Sequence, residues 1–463
     1  MSELQTDYLV VGAGAMGMAF TDTLLTETDA NVVLVDRNHQ PGGHWNKAYP
    51  YVRLHQPSAF YGVNSKDLGA DTIDQTGWNA GLYELATNGE VCAYFDSVMQ
   101  RQFLPSGRVQ YFPMSEYLGD GKIRSLVSGT ETGVEARKTA NATYMNVTVP
   151  SMRAPLYEVG EGVHCVPPNG LPEVTGQFDR YVVVGAGKTG MDACLFLLKH
   201  SVKPEQISWI MPRDSWMLDR ARIQPGPSFA EKNATGFALQ LKAIAEAESV
   251  EDVLLNVAEV GGLLCFDEDV WPTMYRCATV TAAELEQLRQ IEDIIRKGRV
   301  QAIEQDRIVL DEGEEPTSTR TLHVDCSADG LERRPAVPVF DDATITLQAV
   351  RTCQQVFSAA FIGHVEAAYD DESMKNELCT PVPHPDSEVD FLRSNLANSL
   401  NARRWGQDAE LQEWLKDARL DGFARRAAQP LSPETSAEVK ALSGEYAAAS
   451  VANLERLLSA VDA

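Results

Sequence analysis

The eight cysteines of this 463-residue chain, Cys92, Cys165, Cys194, Cys265, Cys277, Cys326, Cys353 and Cys379, include no C-x-x-C and no His/Cys cluster with zinc spacing. That lack leaves no metal ligand set to read and predicts reduced thiols in a reducing compartment, without a dithiol redox centre. No apolar run approaches the roughly 18 residues of a membrane-spanning helix, so none is expected. The N-terminus, MSELQTD, is acidic and leads straight into an apolar strand, so no signal peptide is expected and a cytoplasmic protein follows. Basic stripes are lacking too. Net charge is −26, from 66 acids against 40 bases, and pairs such as Arg333-Arg334, Arg403-Arg404 and Arg425-Arg426 stand isolated. This balance argues against nucleic acid and anionic membranes as partners. With 44% hydrophobic residues and no low-complexity stretch, the chain is expected to be globular, and its length implies two or three domains.

What is present begins with DYLVVGAGAMGMAFTDTLLTETDANVVLVD from Asp7. An apolar strand, Tyr8 to Val11, enters Gly12, Gly14 and Gly17 at G-x-G-x-x-G spacing, with Ala13, Ala15 and Met16 filling the turn. A helix is predicted from Ala15 to about Thr26, and a second strand, Asn31 to Val35, ends on Asp36 and Arg37. The first glycine permits the tight turn, the second admits a pyrophosphate to the backbone, and the third lets helix and strand pack closely. Free N–H groups at the helix start then face the phosphates. A carboxylate at Asp36 accepts ribose hydroxyls and repels a 2′-phosphate, so the site suits FAD or NAD and disfavours NADP. Next comes Gln40-Pro41-Gly42-Gly43-His44-Trp45. The glycine pair lets backbone pass close to a ring system or phosphate while Trp45 offers a stacking face; otherwise the stretch is a turn beneath a packed indole. The segment Tyr49 to Pro57 reads as a strand end opening into a cleft.

These stretches carry a resemblance. The G-x-G-x-x-G with its acid, the G-G-x-W and the Tyr-rich segment leading to Arg53, Leu54 and Gln56 resemble the FAD half of class B flavoprotein monooxygenases, the group of flavin-containing and Baeyer-Villiger monooxygenases. Gln56 stands near where the flavin-containing members usually carry an Asn over the flavin. The family's F-x-G-x-x-x-H stretch is not found in residues 151 to 180, and the superficially similar FSAAFIGHVEAAY at 357 to 369 follows the second nucleotide domain; its His364 reads as structural.

A second glycine turn begins at Arg180, in RYVVVGAGKTGMDACLFLLKH. Gly185, Gly187 and Gly190 repeat the spacing between an apolar strand and a helix, with Lys188 and Thr189 inside the turn. The following strand, Gln206 to Met211, ends in Pro212-Arg213-Asp214. Arg213 can clamp a 2′-phosphate through a bidentate pair, which assigns NADPH here and FAD to the first turn, though Asp214 leaves NADH open.

Elsewhere, helical spacing covers 80 to 104, a strand 107 to 113, and a β-meander about 115 to 150. Residues 215 to 300 read as a helical insertion, with an amphipathic stretch at 237 to 247 and a capping box from Thr281 to Glu284; it either shapes the substrate pocket or only packs. A hairpin follows at 298 to 313, then strands at 322 to 326 and 344 to 350. Ser358 is expected to cap a helix whose positive end faces the flavin. The last 65 residues read as helical, with Ser432-Pro433-Glu434 opening the final helix, and either cover the FAD domain or form a dimer contact.

The fold class expected is α/β: two Rossmann-like dinucleotide-binding domains with a β-meander, a helical insertion and a helical C-terminal segment. Residues 1–175 with 325–400 form the FAD domain, 176–324 the NADPH domain, and 401–463 the tail. Two adjacent cofactors imply hydride transfer from nicotinamide to flavin. The resemblance then implies an NADPH-dependent monooxygenase that uses O₂ and a flavin C4a-hydroperoxide to oxygenate a small-molecule nitrogen, sulfur or carbonyl substrate. A flavin-dependent reductase without oxygen insertion and a non-catalytic dinucleotide-binding redox sensor remain as alternatives. No residue stands out as a general acid or base.

Overall fold

Two sheets with parallel cores grow outward from the two glycine-ended strands. The computed structural model describes residues 3–422 and 430–462, so the Arg425-Arg426 pair lies outside the described residues. In the first sheet Glu3–Val11 pairs in parallel with Val32–Val35 on one side and Glu131–Asn141 on the other, and Val109–Phe112 and Thr344–Thr346 extend it. In the second, Arg180–Val184 is central, with Ile207–Ile210 and Asp293–Ile295 on one side and Thr321–Asp325 and His164–Val166 on the other. The runs VVLV at 32–35 and ISWI at 207–210 are buried at every position, as parallel strands covered on both faces must be.

The first helix, Ala15–Glu27, is buried continuously from Met16 to Leu24, because it lies between its sheet and the helix Gln355–Ala368. Gly363 makes that crossing possible: a Cβ there would sit 3.1 Å from Thr23 Cβ and 3.2 Å from the Phe20 carbonyl.

The expected meander is present: Ser115–Gly119 pairs antiparallel with Lys122–Ser125, which pairs antiparallel with the start of Glu131–Asn141, and that last strand continues in parallel beside Glu3–Val11. Three expectations are corrected. The insertion is mixed rather than helical. Alongside Ala230–Glu246, Val250–Glu259 and Ala282–Leu288 it holds a small sheet of Ser215–Asp219, Leu263–Leu264 and Met274–Val280. Its buried runs at Trp216-Met217 and Ala278 to Val280 are too short for period alone to separate strand from helix. Helix 80–104 starts only at Asn88, where Thr87 and Glu90 form a capping box, and loosens into a π-turn at Met99–Phe103. Ser358 caps nothing. Its helix begins three residues earlier, and the buried hydroxyl accepts from the Val350 N–H at 3.1 Å and donates to the Gln354 carbonyl at 2.8 Å.

The tail divides between the two halves. Ala409–Asp417 packs Leu411 and Leu415 into the first core. The final helix, Pro433–Val461, is capped by Ser432 as expected but lies on Ala230–Glu246 of the insertion, sharing Leu454, Leu457 and Leu458 with Ala243 and Ile244. Among the described residues no helix is long and apolar enough to cross a membrane.

Candidate functional site

The carboxyl ends of both central strands open on one cavity of about 2050 Å³. Ordinary ligand pockets reach roughly 1,000 Å³, so this one has room for more than a single dinucleotide. Gly12, Gly14, Ala15, Met16, Asp36 and Arg37 line it from the first half, and Gly185, Gly187, Lys188, Thr189 and Arg213 from the second.

The two turns are built alike. Gly12 N–H donates to the Val35 carbonyl at 2.8 Å, and Gly185 N–H to that of Ile210 at 3.0 Å. Gly17 and Gly190 do not line the cavity; a Cβ on either would lie 1.9 and 2.0 Å from the carbonyl oxygens of Gly12 and Gly185, so both serve the close packing of helix on strand. Each following helix, Ala15–Glu27 and Lys188–Lys199, starts on a glycine with no side-chain cap and no acid in its first turn. Their leading N–H groups and positive dipole ends are therefore uncompensated by side chains and face the cavity.

Asp36 is 7% exposed, and its carboxylate is already engaged: it accepts from Ala13 N–H at 2.6 Å, from Asn38 N–H at 2.7 Å and from the Asn38 amide at 2.9 Å. Burial pushes its carboxyl up, against the pull of those hydrogen bonds. Ala13 itself is buried behind the wall. Arg37 lies out at the rim, ion-paired with Glu116 at 3.1 Å.

Gly42 N–H donates to the Ala13 carbonyl at 2.9 Å, which lays the glycine pair directly on the first turn. Gly43 holds φ +57°, and a Cβ there would come within 2.9 Å of Gly14 Cα. Trp45 is a packed indole, 7% exposed, donating from Nε1 to Tyr61 Oη at 2.7 Å. His44, Leu54 and Gln56 line the cavity. Arg53 does not: between buried Val52 and Leu54 it points outward, exposed, with its backbone bridged to Thr87. Burial lowers the His44 imidazole to about 4, and burial with the nearby Lys188 and Arg220 cations holds His55 well below its ordinary value, so both rings are neutral near pH 7.

In the second half the position matching Asp36 is Met211. Asp36 N–H bonds the Phe112 carbonyl of its neighbouring strand, and Met211 N–H bonds Ile295 in the same way. Asp214 is withdrawn, held by Arg296 through bonds of 2.9 and 3.0 Å. Arg213 is not a free clamp: it pairs with Asp386 at 3.0 Å and bonds the Thr273 carbonyl. Arg299, which the sequence did not single out, lines the cavity with an exposed side chain. Its only local signal is that it follows the strand Asp293–Ile295 beside Ile207–Ile210. Lys188 is paired with Asp192, which also accepts from Tyr49 Oη of the first half at 2.7 Å. His364 lies away from the site, stacked on Trp414 with ring centroids 4.4 Å apart and paired with Glu27.

The cysteine expectation is overturned. Cys277 and Cys353, separated by 76 residues, form a disulfide with Cα atoms 6.5 Å apart, and both line the cavity. The other six cysteines are unpaired.

The NAD(P)-binding Rossmann-like domain family matches residues 10–65. Over 422 residues, 91% of this chain, the sequence is 58% identical to Uncharacterized protein Rv2000 of Mycobacterium tuberculosis, of which it covers 78%. The chain belongs to the family of that mycobacterial protein. The same identity and coverage hold for Uncharacterized protein Mb2023 of Mycobacterium bovis. Among solved structures, the closed form of cyclohexanone monooxygenase is similar at TM-score 0.48 and 15% identity, over 96% of this chain and 99% of that one. Steroid monooxygenase bound to NADP is similar at TM-score 0.46 and 12% identity, over 78% and 85%.

Proposed function

We propose that this chain is an FAD-dependent NADPH oxidoreductase, with molecular oxygen as acceptor and a small nitrogen, sulfur or carbonyl compound as the oxygenated substrate. The observation that carries the reading is that two glycine turns, each at the foot of an uncapped helix, open on one cavity large enough for two dinucleotides. The FAD unit is drawn from residues 3–157 and 326–400 and the NADPH unit from 158–325, not from 176, because Glu158–Val159 and His164–Val166 pair with strands of the second half.

The donor sets fit the two groups. Backbone N–H groups after Gly14 and Gly187 receive pyrophosphates, where the absence of a Cβ keeps the approach open; a Cβ on Gly187 would meet nothing within 4 Å. Asp36 keeps lone pairs for a ribose hydroxyl beyond those its three bonds use. Met211, standing where an acid would repel a 2′-phosphate, leaves that position to Arg213 and Arg299. Neutral His44 and His55 add no charge to the cavity wall. FAD, when bound, supplies the two-electron chemistry and the reaction with oxygen, and the chain supplies alignment and exclusion of water.

The test is direct. Purified protein is expected to be yellow, to bleach on anaerobic mixing with NADPH, and to consume NADPH faster when amines, sulfides or ketones are supplied with oxygen. Protein that neither takes up flavin nor oxidises NADPH refutes the proposal. A second reading, a flavin-dependent reductase that inserts no oxygen, is favoured by one observation, the disulfide in the cavity wall. NADPH oxidation that no substrate in the panel converts to an oxygenated product would support it.

A further inference from the structure

We infer that Cys277 and Cys353 are a redox-active disulfide that accepts an electron pair from reduced flavin held in the same cavity. The inference rests on the two-nucleotide reading above.

The pair joins the two halves at the nucleotide cavity. Cys353 follows the strand Thr344–Thr346, beyond its carboxyl end and so on the same edge of the first sheet as the Gly12 turn, and stands one residue ahead of the N-cap of the helix Gln355–Ala368. Cys277 comes from Met274–Val280 in the insertion of the second half. Both half-cystines line the cavity and are only half-buried. Their surroundings point to a ligand. The Thr352 hydroxyl and the Gln354 side-chain carbonyl, buried atoms of wall residues on either side of Cys353, have no hydrogen-bond partner among the described residues. Buried polar atoms of this kind call for a group that the protein alone does not supply.

Three features separate this pair from a structural staple. Cys194, Cys326 and Cys379 are buried deeper and remain unpaired thiols, which is not how a disulfide-stabilised chain uses its cysteines. Cys277 and Cys353 hold left-handed backbone, φ +56° and +59°, a strained conformation for non-glycine residues that clusters at functional sites. Once the bond opens, the Cys353 sulfur lies at the N-terminal end of a 14-residue helix, where a thiolate is favoured.

The step balances with the reactants already proposed. NADPH passes a hydride to FAD, and the reduced flavin takes up a proton. The disulfide then receives two electrons and two protons from it: the S–S bond breaks, two S–H bonds form, and the flavin returns to its oxidised state.

The experiment counts thiols in wild-type holoprotein by alkylation in guanidinium chloride, followed by mass measurement, while flavin absorbance is recorded. Six alkylated cysteines are expected as isolated, and all eight after anaerobic incubation with NADPH. Because flavin and disulfide are each two-electron couples, about two NADPH per flavin are consumed. Cys353→Ser is expected to give seven thiols before and after NADPH and to consume about one NADPH per flavin. Bleached flavin with the count fixed at six, rising only with dithiothreitol, overturns the inference and leaves the nucleotide reading standing. Eight thiols from the start do the same. Flavin that NADPH does not bleach overturns both.

Discussion

Replacing Gly187 by alanine separates a nucleotide site from a merely structural glycine turn. Gly187 is the N-cap of Lys188–Lys199, at φ −74° and ψ 178°, a backbone conformation alanine adopts freely. A Cβ there meets no atom within 4 Å, so the protein itself has no steric objection. Alanine loses about 0.5–1 kcal/mol relative to glycine as a cap and gains about 0.4–1 kcal/mol from a less flexible unfolded chain, and the two nearly cancel. Thermal stability without nucleotide is therefore expected to stay within a few degrees of wild type. A pyrophosphate approaching that backbone meets the new methyl and loses one charge-assisted hydrogen bond, worth about 1.5–3 kcal/mol, or roughly ten- to hundredfold in affinity. Gly190→Ala is the contrast, because its Cβ would lie 2.0 Å from the Gly185 carbonyl and 3.4 Å from Trp209 Nε1, and it is expected to destabilise the fold outright. The assay pairs scanning calorimetry of each variant with the NADPH dependence of flavin reduction by stopped flow. Unchanged NADPH dependence in a well-folded Gly187→Ala protein refutes the assignment of nucleotide to this turn.

Asp36→Ala is expected to lower flavin occupancy, since it removes the proposed ribose acceptor and the bond that orients Ala13; full flavin retention after purification counts against the ribose role. Arg213→Ala and Arg299→Ala are each expected to raise the Michaelis constant for NADPH more than for NADH. The Arg213 effect is the smaller, because Asp386 and Thr273 already engage that guanidinium, and equal effects on both nucleotides refute a 2′-phosphate contact. Glu366→Ala is expected to cost about 3–5 kcal/mol at pH 7, because buried Lys375 loses its carboxylate and Lys138 and Tyr8 lose theirs. Burial raises the Glu366 carboxyl, but hydrogen bonds from Lys375, Lys138 and Tyr8 outweigh it and hold the group below its ordinary 4.5. Its stabilisation is thus present above that value and lost as pH falls below it, so the wild-type advantage in urea denaturation is expected to shrink in acid and not to grow.

What was legible in the sequence is local. Each glycine of the two turns answers to a neighbour a few residues away, as Gly17 does to the Gly12 carbonyl, so spacing alone carried the geometry of both. The capping box at Thr281 and the N-cap at Ser432 were readable for the same reason. What was not legible depends on partners far along the chain. Arg213 had the right residue type after the right strand, yet its charge is met by Asp386, 173 residues on. Cys277 and Cys353 carry no spacing signal because different halves supply them. The insertion was misread because short buried runs fit either period, and strand or helix was decided by which neighbour offered a free edge.

The Tyr49 to Gln56 segment shows how the two halves become one site. Tyr49 donates to Asp192, the residue that pairs with Lys188 in the second turn, and Tyr51 stacks on Phe196 of the same helix with ring centroids 4.2 Å apart. A few residues on, Leu54 and Gln56 line the cavity, and the His55 carbonyl accepts from the buried guanidinium of Arg220 at 2.8 Å. A dinucleotide that drew Lys188 toward its phosphates would leave Asp192 with Tyr49 Oη as its remaining partner in this group, so occupancy of the second turn is expected to be felt at Tyr49, five residues ahead of Leu54. Tyr49→Phe removes the hydrogen-bonded link, keeps the Tyr51–Phe196 stack, and removes no group assigned to either nucleotide. It is expected to leave flavin retention intact while changing how fast NADPH bleaches it; an unchanged rate would mean that the Tyr49–Asp192 bond carries no coupling between the two turns.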